Sequence, residues 1–148
     1  IWEAEFNLER KEKSQIEESM RENIRHRKER QPIEYPSAGS FFKNIKIKNL
    51  NSKERERIIR IIKKKLSKKN FDFIKSTGAI PVGLLIESLG LKGKKIGKAE
   101  ISIKHGNFLI NRGNAKAEDV VILASIIKQK IRQNLGIQIY EEIEYIGF

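Results

Sequence analysis

The chain has 148 residues, enough for one ordinary domain with its own core, and 39% of them are hydrophobic. Its 31 Lys and Arg against 19 Asp and Glu give a formal charge of +12, which points to anionic partners; a phosphate-bearing nucleotide sugar and a nucleic acid both fit. Cysteine is absent and His26 and His105 are the only imidazoles, so a disulfide framework is excluded and no metal site is expected.

The first segment alternates, with Trp2, Ala4, Phe6 and Leu8 on one strand face. No hairpin partner lies beside it in sequence, so the strand is expected to complete the sheet of an upstream domain rather than stand as a bare edge. Ser14-Gln15-Ile16-Glu17 fits a capping box, and Ile16, Met20 and Ile24 follow at helical spacing, which predicts a helix from about Gln15 to Glu29. Pro32 and Pro36 bar helix and hold residues 31–36 extended.

Ser52 is a plausible cap for a second helix reaching to near Lys69, with Ile58, Ile59, Ile62 and Leu66 as an apolar stripe on a strongly basic remainder. Gly78 and Pro81 then punctuate the chain before a short helix over about Val82 to Leu89, stopped by Gly90. Residues 99–111 alternate around His105-Gly106-Asn107 and read as two short antiparallel strands. Val120, Leu123, Ala124, Ile127 and Ile131 mark one face of a long helix over about Ala117 to Asn134, ended by Gly136. Residues 137–146 are expected to return to the sheet. The order suggests an α+β fold, a small mixed sheet with packed helices.

The longest nearly apolar run, Val120 to Ile127, falls far short of the roughly 20 residues of a membrane helix. With no basic-apolar-small leader at its start, the chain reads as soluble and cytoplasmic.

The stretch Pro36-Ser-Ala-Gly-Ser-Phe-Phe-Lys-Asn44 combines small residues, a hydroxyl and two donors. Gly39 would let the backbone pass where a Cβ obstructs, Ser40 can donate or accept a proton, and Lys43 and Asn44 suit an anionic ligand. Alone, the stretch fits a Ser-rich turn before an apolar Phe41/Phe42 pair better than it fits a site. The glycine-rich run from Gly90 to Lys98 is no phosphate loop, since Gly97-Lys98 is followed by Ala99 where a hydroxyl residue is needed. No G-x-G-x-x-G occurs.

Further motifs follow in order: Gly83-Leu-Leu-Ile-Glu87, Gly90-Leu-Lys-Gly93, Ile96-Gly97, Lys104-His-Gly-Asn-Phe108, Asn111, Gly113-Asn-Ala115, Ala117-Glu-Asp-Val120 and Glu142-Ile143. Together with the Ser40 stretch this series resembles the C-terminal half of the UDP-N-acetylenolpyruvoylglucosamine reductase family, flavoenzymes of peptidoglycan precursor synthesis. The resemblance covers nearly the whole chain except about residues 46–76.

Such enzymes reduce FAD with NADPH, pass a hydride to the enolpyruvyl chain of UDP-N-acetylglucosamine enolpyruvate, and protonate the resulting enol with a serine in this context. The resemblance therefore implies Ser40 as the general acid and Glu142 as the carboxylate that polarises or helps protonate the intermediate. It implies Asn44, Arg30 and His105 as substrate contacts, and it places the FAD site in an upstream domain. On this reading residues 1–30 are a terminal strand and connecting helix from the FAD-domain side, and residues 31–148 a substrate-binding domain with a basic helical insertion at about 46–76.

Departures from the family pattern are Ile45 after Asn44, Glu141 and Glu144 around Glu142, and the insertion itself. Carboxylates at 141, 142 and 144 also fit a solvated strand end, and their repulsion would raise a pKa in a pocket. The alternative function is a basic, non-catalytic nucleic-acid-binding module, motivated by Arg55, Arg57, Arg60, Lys63, Lys64 and Lys65.

Overall fold

A computed structural model describes residues 2–147. Helix α1 spans Lys13–Arg30, and strands β1 (Ser37–Ser40) and β2 (Ile45–Lys46) follow. Helices α2 (Ser52–Lys65) and α3 (Lys68–Thr77) precede strand β3 (Ala79–Ile80) and helix α4 (Val82–Ser88). Strands β4 (Lys95–Ile96), β5 (Ala99–Ile101) and β6 (Phe108–Asn111) lead into α5 (Ala117–Leu135).

Two sheets form, in the orders β1-β6-β5-β4 and β2-β3. The class is α+β as expected, but every described strand pairing is antiparallel, so the sheet is not mixed. Short turns join β4, β5 and β6 and permit only antiparallel pairing there, while β1-β6 and β2-β3 pair antiparallel across long connections.

Helix α5 lays its apolar stripe, with Leu123, Ala124, Ile127, Ile131 and Leu135 all buried, on β4 and β5. Gly136 ends it at φ +62°, the left-handed position that a glycine adopts without a Cβ penalty. α4 buries Val82, Leu85 and Ile86 against the same helix.

The expected basic helix is two helices. Asn51, not Ser52, caps α2: its side chain accepts from the Glu54 N–H at 2.9 Å while Glu54 reaches back to the Asn51 N–H. The helix then breaks at Leu66 because the Ser67 hydroxyl accepts from the Asn70 N–H and starts α3. This segment is part of the core, since Ile58, Ile62 and Ile74 are buried. It is tied at its base by the β2-β3 pair, Ile45 opposite Ile80 and Lys46 opposite Ala79. Arg57 fastens its side by donating to the Gly136 carbonyl at 2.7 Å.

The N-terminal expectations fare differently. Residues 2–12 form no strand, because no neighbouring strand among the described residues satisfies their backbone groups. The Ser14 capping box is also absent: α1 begins at Lys13 with Glu12 in the cap position and no side-chain cap bond. None of its residues is buried. At the other end, residues 137–146 meet the sheet region through a single bridge, Phe42 to Glu141, rather than as a strand.

Candidate functional site

Ser40 sits at the end of β1, where the pairing with β6 shifts register between Ser37 and Ser40. Gly39 has φ +78°, and a Cβ there would meet nothing within 4 Å. The glycine is thus required by backbone conformation and not by crowding, which corrects the reading of an obstructed passage.

Just beyond, Asn107 clamps the turn with three hydrogen bonds. Its carbonyl accepts from the Phe41 N–H at 2.8 Å, its Oδ1 from the Phe42 N–H at 3.0 Å, and its Nδ2 donates to the Phe42 carbonyl at 2.8 Å. Asn107 is 3% exposed, so these bonds are shielded from water and fix where Ser40 stands. The Ser40 residue itself is exposed. Its hydroxyl has no partner among the described residues, and Ser40 lines a groove of about 570 Å3 with Arg27, Gln31, Tyr35 and Phe108. Tyr35 is held beneath the Arg112 guanidinium, 4.2 Å from its ring centre.

The C-terminal segment brings Glu142 to this turn. Its N–H donates to the Phe41 carbonyl at 2.8 Å, and the Lys43 N–H donates to the Tyr140 carbonyl at 2.9 Å. Glu142 therefore runs alongside the residue that follows Ser40, and its carboxylate is exposed with no partner among the described residues.

Glu141 is committed elsewhere, to Lys128 Nζ at 2.9 Å. Partial burial opposes its ionisation, but the hydrogen bond from Lys128, a backbone donor and Tyr145 outweigh this and hold its pKa below the usual carboxylate value. The repulsion among carboxylates expected from the sequence does not raise it, because Lys128 neutralises one of the three.

Asn44 lines a different groove, of about 880 Å3, with Lys43, Tyr140, Glu141 and Tyr145. Its Oδ1 accepts from the Val82 N–H at 3.2 Å, which supplies the cap that Pro81 lacks at the start of α4. Its two amide N–H donors and one Oδ1 lone pair remain for a ligand.

Arg30 and His105 share a third groove, of about 400 Å3, with Lys104, Gly83 and Gly106. Lys104 fixes the end of α1 over this groove: its Nζ donates to the Lys28 carbonyl at 3.0 Å and pairs with Glu34 at 3.1 Å. A backbone donor and then Lys104 hold Glu34's pKa below the ordinary value.

Partial burial, reinforced by the charge of Lys92, holds the His105 pKa below its usual value of 6.5. The imidazole is neutral near physiological pH, with Nδ1 accepting from the Asn107 N–H at 3.1 Å and Nε2 left as its one donor. The fit is close here, since a Cβ on Gly106 would come within 2.9 Å of the Gly83 carbonyl. The His105 ring packs edge-on against Phe108, centres 4.9 Å apart, and Phe108 stands opposite Ser40 across the strand pair.

The structure thus joins Ser40 to Glu142 through backbone and to His105 through Phe108, and places Asn44 apart from Arg30 and His105. Sequence reasoning gave no role to Asn107 or Arg27. Its place in the turn just before β6, as the polar residue next to Gly106, was the available signal for Asn107; for Arg27 there was none, since its place beside Ser40 depends on the path of residues 31–36.

A family model described as UDP-N-acetylenolpyruvoylglucosamine reductase, C-terminal domain, matches residues 31–146. The chain is similar to the UDP-N-acetylenolpyruvoylglucosamine reductase of Fervidobacterium nodosum, 39% identical over 144 residues, covering 97% of this chain and 37% of the relative. It is also similar to that of Clostridium kluyveri, 36% identical over 151 residues, covering 99% and 38%. The crystal structure of UDP-N-acetylenolpyruvylglucosamine reductase from Thermus caldophilus superposes with a TM-score of 0.57 at 28% identity, covering 93% of this chain and 37% of that one. The chain spans under two fifths of the length of these proteins, and it belongs to the UDP-N-acetylenolpyruvoylglucosamine reductase C-terminal domain family.

Proposed function

We propose that the chain is the substrate-holding part of a flavin-dependent, NADPH-consuming reductase. It acts in the cytoplasm on UDP-N-acetylglucosamine enolpyruvate to give UDP-N-acetylmuramate, a peptidoglycan precursor. The observation that carries this is the hydrogen bond from the Glu142 N–H to the Phe41 carbonyl, which brings the segment of one candidate proton-handling residue beside the turn that carries the other and that Asn107 clamps.

FAD, when bound, supplies the hydride. The described residues do not fit it, because no glycine-rich turn here opens a helix beside free backbone donors. The FAD site is therefore assigned to the remainder of the protein that the longer relatives carry. Residues 1–30 are read as the junction to that part, and residues 31–148 as the substrate domain with its helical insertion at 46–76. In support, Trp2, Phe6 and Leu8 are exposed at 106%, 77% and 81%, more apolar surface than a finished junction leaves uncovered.

Ser40 gives its proton to the reduced enolpyruvyl chain. A serine hydroxyl is too weak an acid to do so unaided, and Arg27, in the same groove, supplies the positive charge that steadies the alkoxide. Glu142 polarises the enol, while Arg30 and His105 hold the nucleotide sugar from their shared groove and Asn44, bonded to Val82 next to Gly83 of that groove, holds it from the adjoining one.

No helix among the described residues is long and apolar enough to cross a membrane. The nucleic-acid reading gains no support, because the basic segment is folded into the core through Ile58, Ile62 and Ile74 and exposes a single aromatic ring, Phe73, rather than the row of rings that a strand of bases stacks on.

In the flavin-loaded enzyme, Glu142→Gln is expected to slow substrate-driven flavin reoxidation by about tenfold or more, on the general acid-base scale. Glu141→Gln, which breaks only the Lys128 pair, should change it by less. If Glu141→Gln proves the slower variant, the assignment of Glu142 is wrong.

A further inference from the structure

The groove that holds Arg30 and His105 is walled on one side by α3, part of the basic segment that departs from the family pattern. Lys69, Asn70 and Phe73 line it. Lys69 and Phe73 are four residues apart on the helix, so one face presents both. Ile74 anchors that helix in the core at 1% exposure, while the neighbouring Phe73 remains 52% exposed. The phenyl ring is thus held in place by its helix and left open on the groove side.

The charges around it are unequal. Glu87 is bound by Lys92 at 2.7 Å and Lys104 by Glu34 at 3.1 Å. Arg30 and Lys69 are the groove cations with no ionic partner among the described residues. One comes from α1 and the other from α3. An aromatic face for a base, two uncommitted cations for phosphates and a neutral imidazole donor are the groups that a nucleoside diphosphate requires. The volume of about 400 Å3 lies in the range of small-ligand sites.

We infer that α3 forms a nucleotide-gripping wall, with Phe73 stacking on the uracil ring and Lys69 pairing with the diphosphate opposite Arg30. The inference rests on the reading of Arg30 and His105 as substrate contacts, and it makes the inserted helix a determinant of nucleotide affinity.

The test is calorimetric titration of the 148-residue chain with UDP and, separately, with pyrophosphate. Phe73→Ala should weaken UDP by roughly tenfold, on the scale of base-aromatic stacking, and leave pyrophosphate unchanged. Phe73→Tyr should restore UDP affinity, and Phe73→Leu, which keeps apolar volume without a ring, should not. Lys69→Gln should weaken both ligands by about three- to tenfold, an effect that shrinks with added salt. Lys64→Gln, on α2 and outside the groove, should change neither.

Unaltered UDP affinity in both Phe73→Ala and Lys69→Gln, with loss in Arg30→Gln, would overturn the α3 wall and leave the reading of the groove standing. Equal loss of UDP and pyrophosphate in Phe73→Ala would overturn stacking. A wild-type chain that binds neither ligand, or an Arg30→Gln variant that binds both normally, would overturn the groove reading and the inference together.

Discussion

Helices α1 and α2 carry the same kind of apolar stripe and come to opposite ends. In α1, Ile16, Met20 and Ile24 recur at helical spacing and are exposed at 44%, 56% and 49%. In α2, Ile58 and Ile62 recur the same way and are 3% and 0% exposed. Periodicity decides which face of a helix is apolar, whereas burial depends on whether something lies against that face. For α2 the partners are α3 and α5; in α1 no residue is buried by anything among the described residues.

The first way to break this comparison is to cut into the buried stripe. Ile62→Ala is expected to cost about 2 to 5 kcal/mol of folding stability, as truncations at fully packed sites do. Urea unfolding followed by circular dichroism measures it. A cost below about 1 kcal/mol would mean that the basic segment is loosely attached rather than part of the core.

A smaller loss is expected at the clamp. Asn107→Ala removes the side-chain partners of the Phe42 N–H and carbonyl, and buried groups left unpaired cost about 1 to 3 kcal/mol. The same variant should raise hydrogen exchange at Phe42 while the exchange of α1 stays as it was.

Acid sharpens the picture further. The folded chain holds the His105 pKa below 6.5, so the neutral ring is favoured, and the associated stability is present above pH 6.5 and lost as pH falls through the lower folded value. Glu141, held below its usual 4.5, gives up its contribution only as pH drops below 4.5. Stability should thus fall in two steps, and His105→Gln should remove the upper one. Chemical-shift titration placing the His105 pKa at or above 6.5 would contradict this.

The smallest effect belongs to the bare stripe, since Ile24→Ala in this chain should shift stability by no more than about 0.5 kcal/mol. A larger loss would show that α1 packs on something within the chain.

What the sequence made legible follows the same division. α4, α5 and the β5-β6 hairpin were readable because their signals are local: an apolar stripe, a glycine at the helix end, an alternating pair around a turn. In Trp2 to Leu8 alternation supplies a face but no neighbour to pair with among the described residues, so the chain by itself forms no strand there. The split of the basic helix turned on the Ser67 hydroxyl, one cap competing inside a periodic run.

The β2-β3 pair and the Asn107 clamp depend on residues far apart in sequence, Asn107 reaching back 65 positions to Phe42. The site shows this division too. Ser40 and Glu142 were named from motifs, but the bond of the Glu142 segment to the residue after Ser40, and the diversion of Glu141 to Lys128, are visible only in the folded chain.

The central claim is that this chain supplies the acid for a reduction whose hydride comes from elsewhere in the protein. Stopped-flow reoxidation of the NADPH-reduced, flavin-loaded enzyme by enolpyruvyl substrate tests it most directly. Ser40→Ala should leave flavin reduction by NADPH near the wild-type rate and slow reoxidation by about 10²- to 10⁴-fold, the usual loss on removing a positioned acid. Unchanged reoxidation in Ser40→Ala would remove Ser40 from the chemistry and contradict the account.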